Sequence, residues 1–123
     1  MSDVRRNSMP RTEKPWGHEL LVECTDKYAL KEILIKKGTR SSLQSHVKKL
    51  ETIFVISGSL ELQTVDEHKL ESKEIYRAGE AYTIRPGLIH RVLAVEDVRV
   101  IEVSTPELDD VIRYDDDFGR ASS

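Results

Sequence analysis

Between Glu19 and Ser104 the chain never runs far without a Gly, a Pro or a charged turn, and the segments in between are short and rich in Val, Ile, Leu, Thr and Tyr. Runs of that length and composition read as strands, here 19–24, 29–36, 40–45, 52–57, 60–65, 69–76, 81–85, 91–95 and 98–104. No sustained 3.6-residue apolar period interrupts them. The spacing therefore predicts an all-β protein, an antiparallel sandwich or barrel, and a jelly-roll suits the number of runs. One segment reads differently: Pro106 ahead of Glu107-Leu108-Asp109-Asp110-Val111-Ile112-Arg113 predicts a short helix with Pro near its first turn. Residues 1–13 are polar and read as a flexible arm, or as a strand added to a neighbouring subunit. Residues 14–120 read as the single folded domain and 121–123 as a tail.

With 123 residues, one core can form without disulfide staples, and a single cysteine, Cys24, permits none within the chain. Its place in the apolar run Leu20-Leu21-Val22-Glu23-Cys24 predicts a buried structural thiol. Lys+Arg 19 against Asp+Glu 22 leaves a net charge of −3 with the cations interspersed, so no nucleic-acid partner is expected. The acidic excess at Glu107-Leu108-Asp109-Asp110 and Asp115-Asp116-Asp117 reads as a solvated face. No apolar run reaches membrane-spanning length and residues 1–7 lack a signal-peptide core, so the expectation is a cytoplasmic protein without a membrane partner. In Thr52-Ile53-Phe54-Val55-Ile56 apolar residues occupy both parities, which predicts burial of both faces, one in the barrel and one against a second sheet or a partner subunit.

The chemistry concentrates in two Gly-bounded segments, Gly38 to Gly58 and Gly79 to His90. Gln44 and His46 are two apart, so on a strand they share a face. Glu51 opens the next β-type run after the polar turn Val47-Lys48-Lys49-Leu50, and a hairpin there returns it opposite His46. His90 follows the Pro86-Gly87 turn at the head of another strand. Gln44, His46, Glu51 and His90 together supply two oxygens and two nitrogens, a donor set suited to one divalent ion: zinc first, with manganese, iron or nickel as alternatives. Lys49 shares the parity of Glu51, and Arg91, adjacent to His90, points to the opposite face.

These segments resemble the cupin motifs. Gly38, then Gln44-Ser45-His46, Glu51 and Gly58 follow the spacing of the first motif, with Gln44 in the place of its first His. Pro86-Gly87-Leu88-Ile89-His90 follows the second, with Arg85 at a usual Pro position and Ala94 at a usual Asn position. Within that superfamily the chain is similar to the phosphomannose isomerase domain of the bifunctional type II mannose-6-phosphate isomerase/mannose-1-phosphate guanylyltransferases. The similarity runs through Lys14-Pro15-Trp16-Gly17, the strand 30–36, Ser42-Leu43-Gln44-Ser45-His46, Ile101-Glu102-Val103 and the acidic end with Asp116-Asp117-Phe118-Gly119-Arg120. Thr52 stands where the family has His, Lys49 where it often has Arg, and Glu32 where it has a basic residue.

The resemblance implies a cupin jelly-roll, a homodimer, and a divalent metal on Gln44, His46, Glu51 and His90. It implies aldose–ketose isomerisation of a sugar phosphate, with a sugar or sugar phosphate as the small-molecule partner. Lys31, Lys49 and Arg85 are the cations expected to bind substrate: the first matches the family, and the other two sit beside ligands. No catalytic residue declares itself, and Glu32 and Tyr82 are candidates for the proton-transferring base. Two other classes stay open. One is a non-catalytic sugar-binding or regulatory module; the other is an oxygen-using iron cupin, against which the Gln ligand weighs.

Overall fold

The computed structural model describes residues 3–118, so the expected tail at 121–123 and the motif residues Gly119 and Arg120 lie outside the described residues. The chain forms eleven strands and, among the described residues, no helix: β1 (Arg11–Lys14), β2 (Gly17–Cys24), β3 (Ala29–Ile35), β4 (Leu43–Ser45), β5 (Glu51–Ser57), β6 (Ser59–Val65), β7 (Glu71–Arg77), β8 (Ala81–Ile84), β9 (Ile89–Ala94), β10 (Val98–Ser104) and β11 (Ile112–Asp115). They make two antiparallel sheets, in the orders β1-β2-β3-β10-β5-β8 and β11-β4-β9-β6-β7. The result is the all-β jelly-roll sandwich that the strand spacing predicts.

Alternation decides what the six-stranded sheet turns inward. Along β5, Glu51, Ile53 and Val55 are buried while Thr52, Phe54 and Ile56 are exposed. The register carries that face across the sheet. Ile53 pairs with Glu102 on one side and Tyr82 on the other, and Glu102 pairs in turn with Lys31. One inner row is thus Tyr82, Ile53, Glu102 and Lys31. Ile33, Ile35, Ile53, Val55, Leu60, Leu62, Ile84, Val98 and Val100 close the core with Trp16, Tyr82 and Ala94. Each aliphatic side chain so buried contributes about 1.5–3 kcal/mol relative to exposure.

Several expectations need correction. The segment 106–113 is not helical: short turns lead into β11, where Ile112 and Arg113 pair with Ser45 and Gln44. Periodicity over eight residues was too weak to outweigh a vacant edge beside β4. Residues 11–13, read as part of a flexible arm or of a strand added to a neighbouring subunit, form a strand within this chain: they belong to β1, which pairs with β2 through the turn at Pro15-Trp16. The run 40–45 is a strand only at 43–45, with Arg40 making an isolated bridge to Leu93. Cys24 is exposed, because it ends β2 where the chain turns toward Ala29. Among the described residues, no second sheet of the same chain covers the outer face of β5, where Phe54 is 43% and Ile56 44% exposed.

Two glycines fix the corners. At Gly58, between β5 and β6, φ is +78°, and a Cβ would lie 2.1 Å from the Asp97 carbonyl oxygen. Only a residue without a side chain lets β5 return into the opposite sheet there. At Gly87 φ is +89°, and its N–H donates to the His46 carbonyl at 2.7 Å, which docks the β8–β9 turn against β4.

Candidate metal centre

Gln44 and His90 are register partners across β4 and β9, and His46 leaves the end of β4 on the same face as Gln44. Glu51 enters from the opposite sheet at the start of β5. The two sheets therefore close on one point. His46 Nε2 lies 3.6 Å and His90 Nε2 3.4 Å from the same oxygen, Glu51 Oε1, and the two rings are tilted with centroids 5.3 Å apart. One ligand atom from each of His46, Glu51 and His90 falls within 4.8 Å of the others, and all three residues are buried. Ligands bonded at about 2.1 Å to one tetrahedral ion stand about 3.4 Å from each other.

Both imidazoles are oriented from behind. His46 Nδ1 bonds the Asp110 carbonyl at 2.5 Å and His90 Nδ1 the Leu88 carbonyl at 2.9 Å. A carbonyl can only accept, so each ring carries a proton on Nδ1, and in its neutral form each presents Nε2 as a lone pair toward Glu51. His46 Nε2 is buried and has no hydrogen-bond partner. A buried nitrogen lone pair without a donor is what a ligand awaiting a cation looks like, and it is costly otherwise. Gln44 Oε1 accepts a hydrogen bond from Ser42 Oγ at 2.9 Å, which orients the amide. Gln44, Glu51 and His90 all line a cavity of about 100 Å³ walled by Trp16, Ile53 and Tyr82. The residues present fit a divalent ion.

Lys49 is buried and committed. Its Nζ lies 3.2 Å from Glu51 Oε2 and 3.5 Å from Glu102 Oε2. Burial opposes its charge, but Glu102 and Glu51 outweigh that and keep it an ammonium. Burial likewise opposes the charge on Glu51, yet His46, His90 and Lys49 hold it well below the usual carboxylate range. Glu102 shows the reverse: burial, reinforced by the neighbouring Glu51 charge, pushes it up to about 7. Burial disfavours a charged His46, and the Glu51 carboxylate with the Asp110 carbonyl overcomes it to raise the imidazole pKa. Burial also pushes the Tyr82 phenol far up, with Glu51 and Glu102 adding to the shift, so it stays protonated.

Of the cations read from the sequence as substrate-binding, the structure brings none to the cavity unpaired. Lys49 holds Glu51 and Glu102, Lys31 pairs with Glu19 at 3.1 Å, and Arg85 is exposed and outside the cavity wall. Tyr82 reaches the cavity, whereas Glu32 lies on the outer face beside Arg99 at 3.6 Å. Arg91 does point away from His90, onto Asp115 and the Ser41 carbonyl.

The acidic segments are only partly a solvated face: Asp109, Asp115 and Asp117 are exposed, but Asp110 and Asp117 are bonded within the chain. The Asp110 carboxylate accepts the backbone N–H groups of Val47, Lys48 and Lys49, and those bonds hold it below its ordinary range. Asp110 thereby shapes the turn between His46 and Glu51 with its side chain and aims His46 with its carbonyl. Asp117 chelates Arg40 at 2.6 and 2.7 Å. Glu102 and Asp110 were missed in the sequence. Glu102 carried a usable signal, since it alternates with Val100 and Val98 on an apolar strand face. Asp110 carried none, because its partners lie more than sixty residues away.

Comparisons with known proteins give the family and the fold. The model of the family described as "Mannose-6-phosphate isomerase C-terminal" matches residues 4–116. The xanthan biosynthesis protein XanB of Xanthomonas campestris pv. campestris (strain B100) is 31% identical over 112 residues, spanning 87% of this chain and 23% of that protein. The mannose-1-phosphate guanylyltransferase ManC of Salmonella typhimurium is 31% identical over 111 residues, spanning 87% of this chain and 22% of that protein. The chain thus spans about a quarter of the length of these curated relatives. Among solved structures, a variant of the oxalate decarboxylase of B. subtilis superposes with a TM-score of 0.78 at 19% identity, covering 87% of this chain and 30% of that one. KdgF from Halomonas sp. superposes at 0.69 with 20% identity, covering 78% and 84%. With the family's model matching residues 4–116, the chain belongs to the mannose-6-phosphate isomerase C-terminal family and has the cupin fold.

Proposed function

We propose that Gln44, His46, Glu51 and His90 hold one divalent metal ion, zinc first, and that the protein is a metal-dependent isomerase of a sugar phosphate of the mannose-6-phosphate type. The observation that carries the reading is the partnerless Nε2 of His46, buried and turned with His90 Nε2 toward a single oxygen of Glu51. Bound there, the ion would supply Lewis-acid polarisation of a sugar carbonyl or hydroxyl. The chain's own residues do the rest. Lys49 fixes the second oxygen of Glu51, so the carboxylate cannot rotate. The Asp110 and Leu88 carbonyls fix both imidazole tautomers. Trp16, Ile33, Ile35, Ile53 and Val100 keep the cavity walls dry, while the Tyr82 phenol and the Glu102 carboxyl face it as groups able to hold a proton.

We further propose that a second copy covers the outer face of the six-stranded sheet, where Phe54 and its register partner Ile101 lie beside exposed Val103 and Ile56. A cytoplasmic location suits the one unpaired cysteine, and no helix of the described residues is long and apolar enough to cross a membrane.

The deciding experiment measures metal content by mass spectrometry in wild type and His46→Ala, then mannose 6-phosphate turnover by the metal-loaded wild type. Near-stoichiometric metal that His46→Ala loses, with turnover, supports the whole reading. Metal without turnover favours a non-catalytic sugar-binding module. Wild-type protein that takes up no zinc, manganese, iron or nickel refutes the site.

A further inference from the structure

The cavity does not end at Gln44. Trp16, Glu19, Ser41 and Gln44 also line a second compartment of about 90 Å³, completed by Lys14, Ser42 and Arg113. Gln44, the one candidate metal ligand among these four shared residues, thus borders both compartments. Arg113 is the register partner of Gln44 across β4 and β11, so its side chain rises on the same face, with Cβ atoms about 5 Å apart. Lys14 is the last residue of β1, at the hairpin turn that carries Trp16.

The charges around these compartments do not cancel. Glu19 is matched by Lys31, and Glu51 and Glu102 share Lys49. Arg40 and Arg91, the other cations of this end, are matched by Asp117 and Asp115. Lys14 and Arg113 are in no ion pair among the described residues, and Arg113 Nε is buried with no hydrogen-bond acceptor. A guanidinium N–H removed from water and left unbonded is costly unless a ligand supplies the acceptor. Two unmatched cations, one with an idle buried donor, complement a compact dianion with several acceptor oxygens.

We propose that Lys14 and Arg113 form a phosphate-binding subsite at the mouth of the cavity, which takes the phosphomonoester of a substrate whose sugar lies against Gln44 and the metal position. That the remainder of the ligand is a sugar rests on the function proposed above; the phosphate site does not. The assignment also replaces Lys31, Lys49 and Arg85 as the phosphate-binding cations, since the first two are spent on carboxylates and the third is outside the cavity wall.

Titrations at fixed ionic strength with inorganic phosphate and with mannose 6-phosphate, read by calorimetry on the metal-loaded protein, test it. Arg113→Gln and Lys14→Gln should each weaken binding of both probes about 10- to 100-fold, the range for one charge-assisted hydrogen bond. Arg113→Lys should recover only part of the loss, and Arg77→Gln, at an exposed position on β7, should leave affinity unchanged. If the protein turns over mannose 6-phosphate, Arg113→Gln should raise KM and leave kcat within a few-fold. Wild-type affinity retained in both Gln variants, or no phosphate binding by wild type at millimolar concentration, overturns the subsite. Phosphate binding that depends on Lys14 and Arg113 without isomerisation upholds the subsite and rejects only the isomerase reading.

Discussion

Replacing Lys49 by Met in metal-free protein tests how the candidate ligand Glu51 is held. The ammonium lies 3.2 Å from one buried carboxylate and 3.5 Å from another. At an effective dielectric of about 20, each contact is worth about 5 kcal/mol, offset by several kcal/mol for burying the ammonium itself. Removing it leaves Glu51 and Glu102 together with no cation bonded to them, Lys31 being paired with Glu19, and breaking a buried pair from one side costs about 3–5 kcal/mol. For a chain of this size that corresponds to a fall in Tm of roughly 10–20 °C. The loss should depend on pH. Glu102 already titrates at about 7, above its ordinary value, so its charged form is disfavoured in the folded state. Without Lys49 the penalty grows as pH rises through that range, and the deficit should be larger at pH 8 than at pH 5. Adding Glu102→Gln to Lys49→Met should restore much of the stability by removing the second charge, and Lys49→Arg should lose less than Lys49→Met. Urea denaturation of the chelator-treated variants at both pH values measures all of this. A loss below about 1 kcal/mol at pH 8, or no rescue by Glu102→Gln, would refute the argument that Lys49 neutralises this carboxylate pair.

Three other outcomes follow from different parts of the molecule. Gly58→Ala should destabilise by about 2–4 kcal/mol in denaturant unfolding, since it meets both a positive φ and a Cβ contact at 2.1 Å; a loss no larger than that of an ordinary surface substitution would contradict it. Asp110 has a lowered pKa, so its contribution is fully present above its unfolded value of 3.8 and is lost as pH falls through the folded value. The stability gap between wild type and Asp110→Asn should therefore be flat above pH 5 and shrink toward pH 2.5, and a gap constant over that range would show that the carboxylate charge is not involved. If the proposed dimer forms through the outer face of β5, Phe54→Glu should shift it to a monomer in light scattering after size exclusion, and an unchanged mass would remove that face as the interface.

The candidate ligands were legible because a strand has a period of two. Once 43–45 is extended, Gln44 and His46 must share a face, and the Pro86-Gly87 turn fixes where the following strand, and with it His90, begins. The same period gives Glu51 its place in an inward row with Ile53 and Val55. Hydrophobic spacing likewise determined the all-β class. What each charge does was not legible, because an ion pair is chosen by sheet order. Lys31 finds Glu19 one strand away, whereas Lys49 finds Glu102 across fifty-three residues of chain. Asp110 and Arg113 sat in a segment whose short-range pattern favoured a helix, and only the free edge of β4 drew it into a strand. Local alternation and turn chemistry therefore marked most of the strands, the fold class and the face that carries the candidate ligands from the sequence alone. Tertiary structure decided which cations are neutralised, which remain for an anion, and which apolar face is left open, since those depend on pairings between strands far apart in the chain.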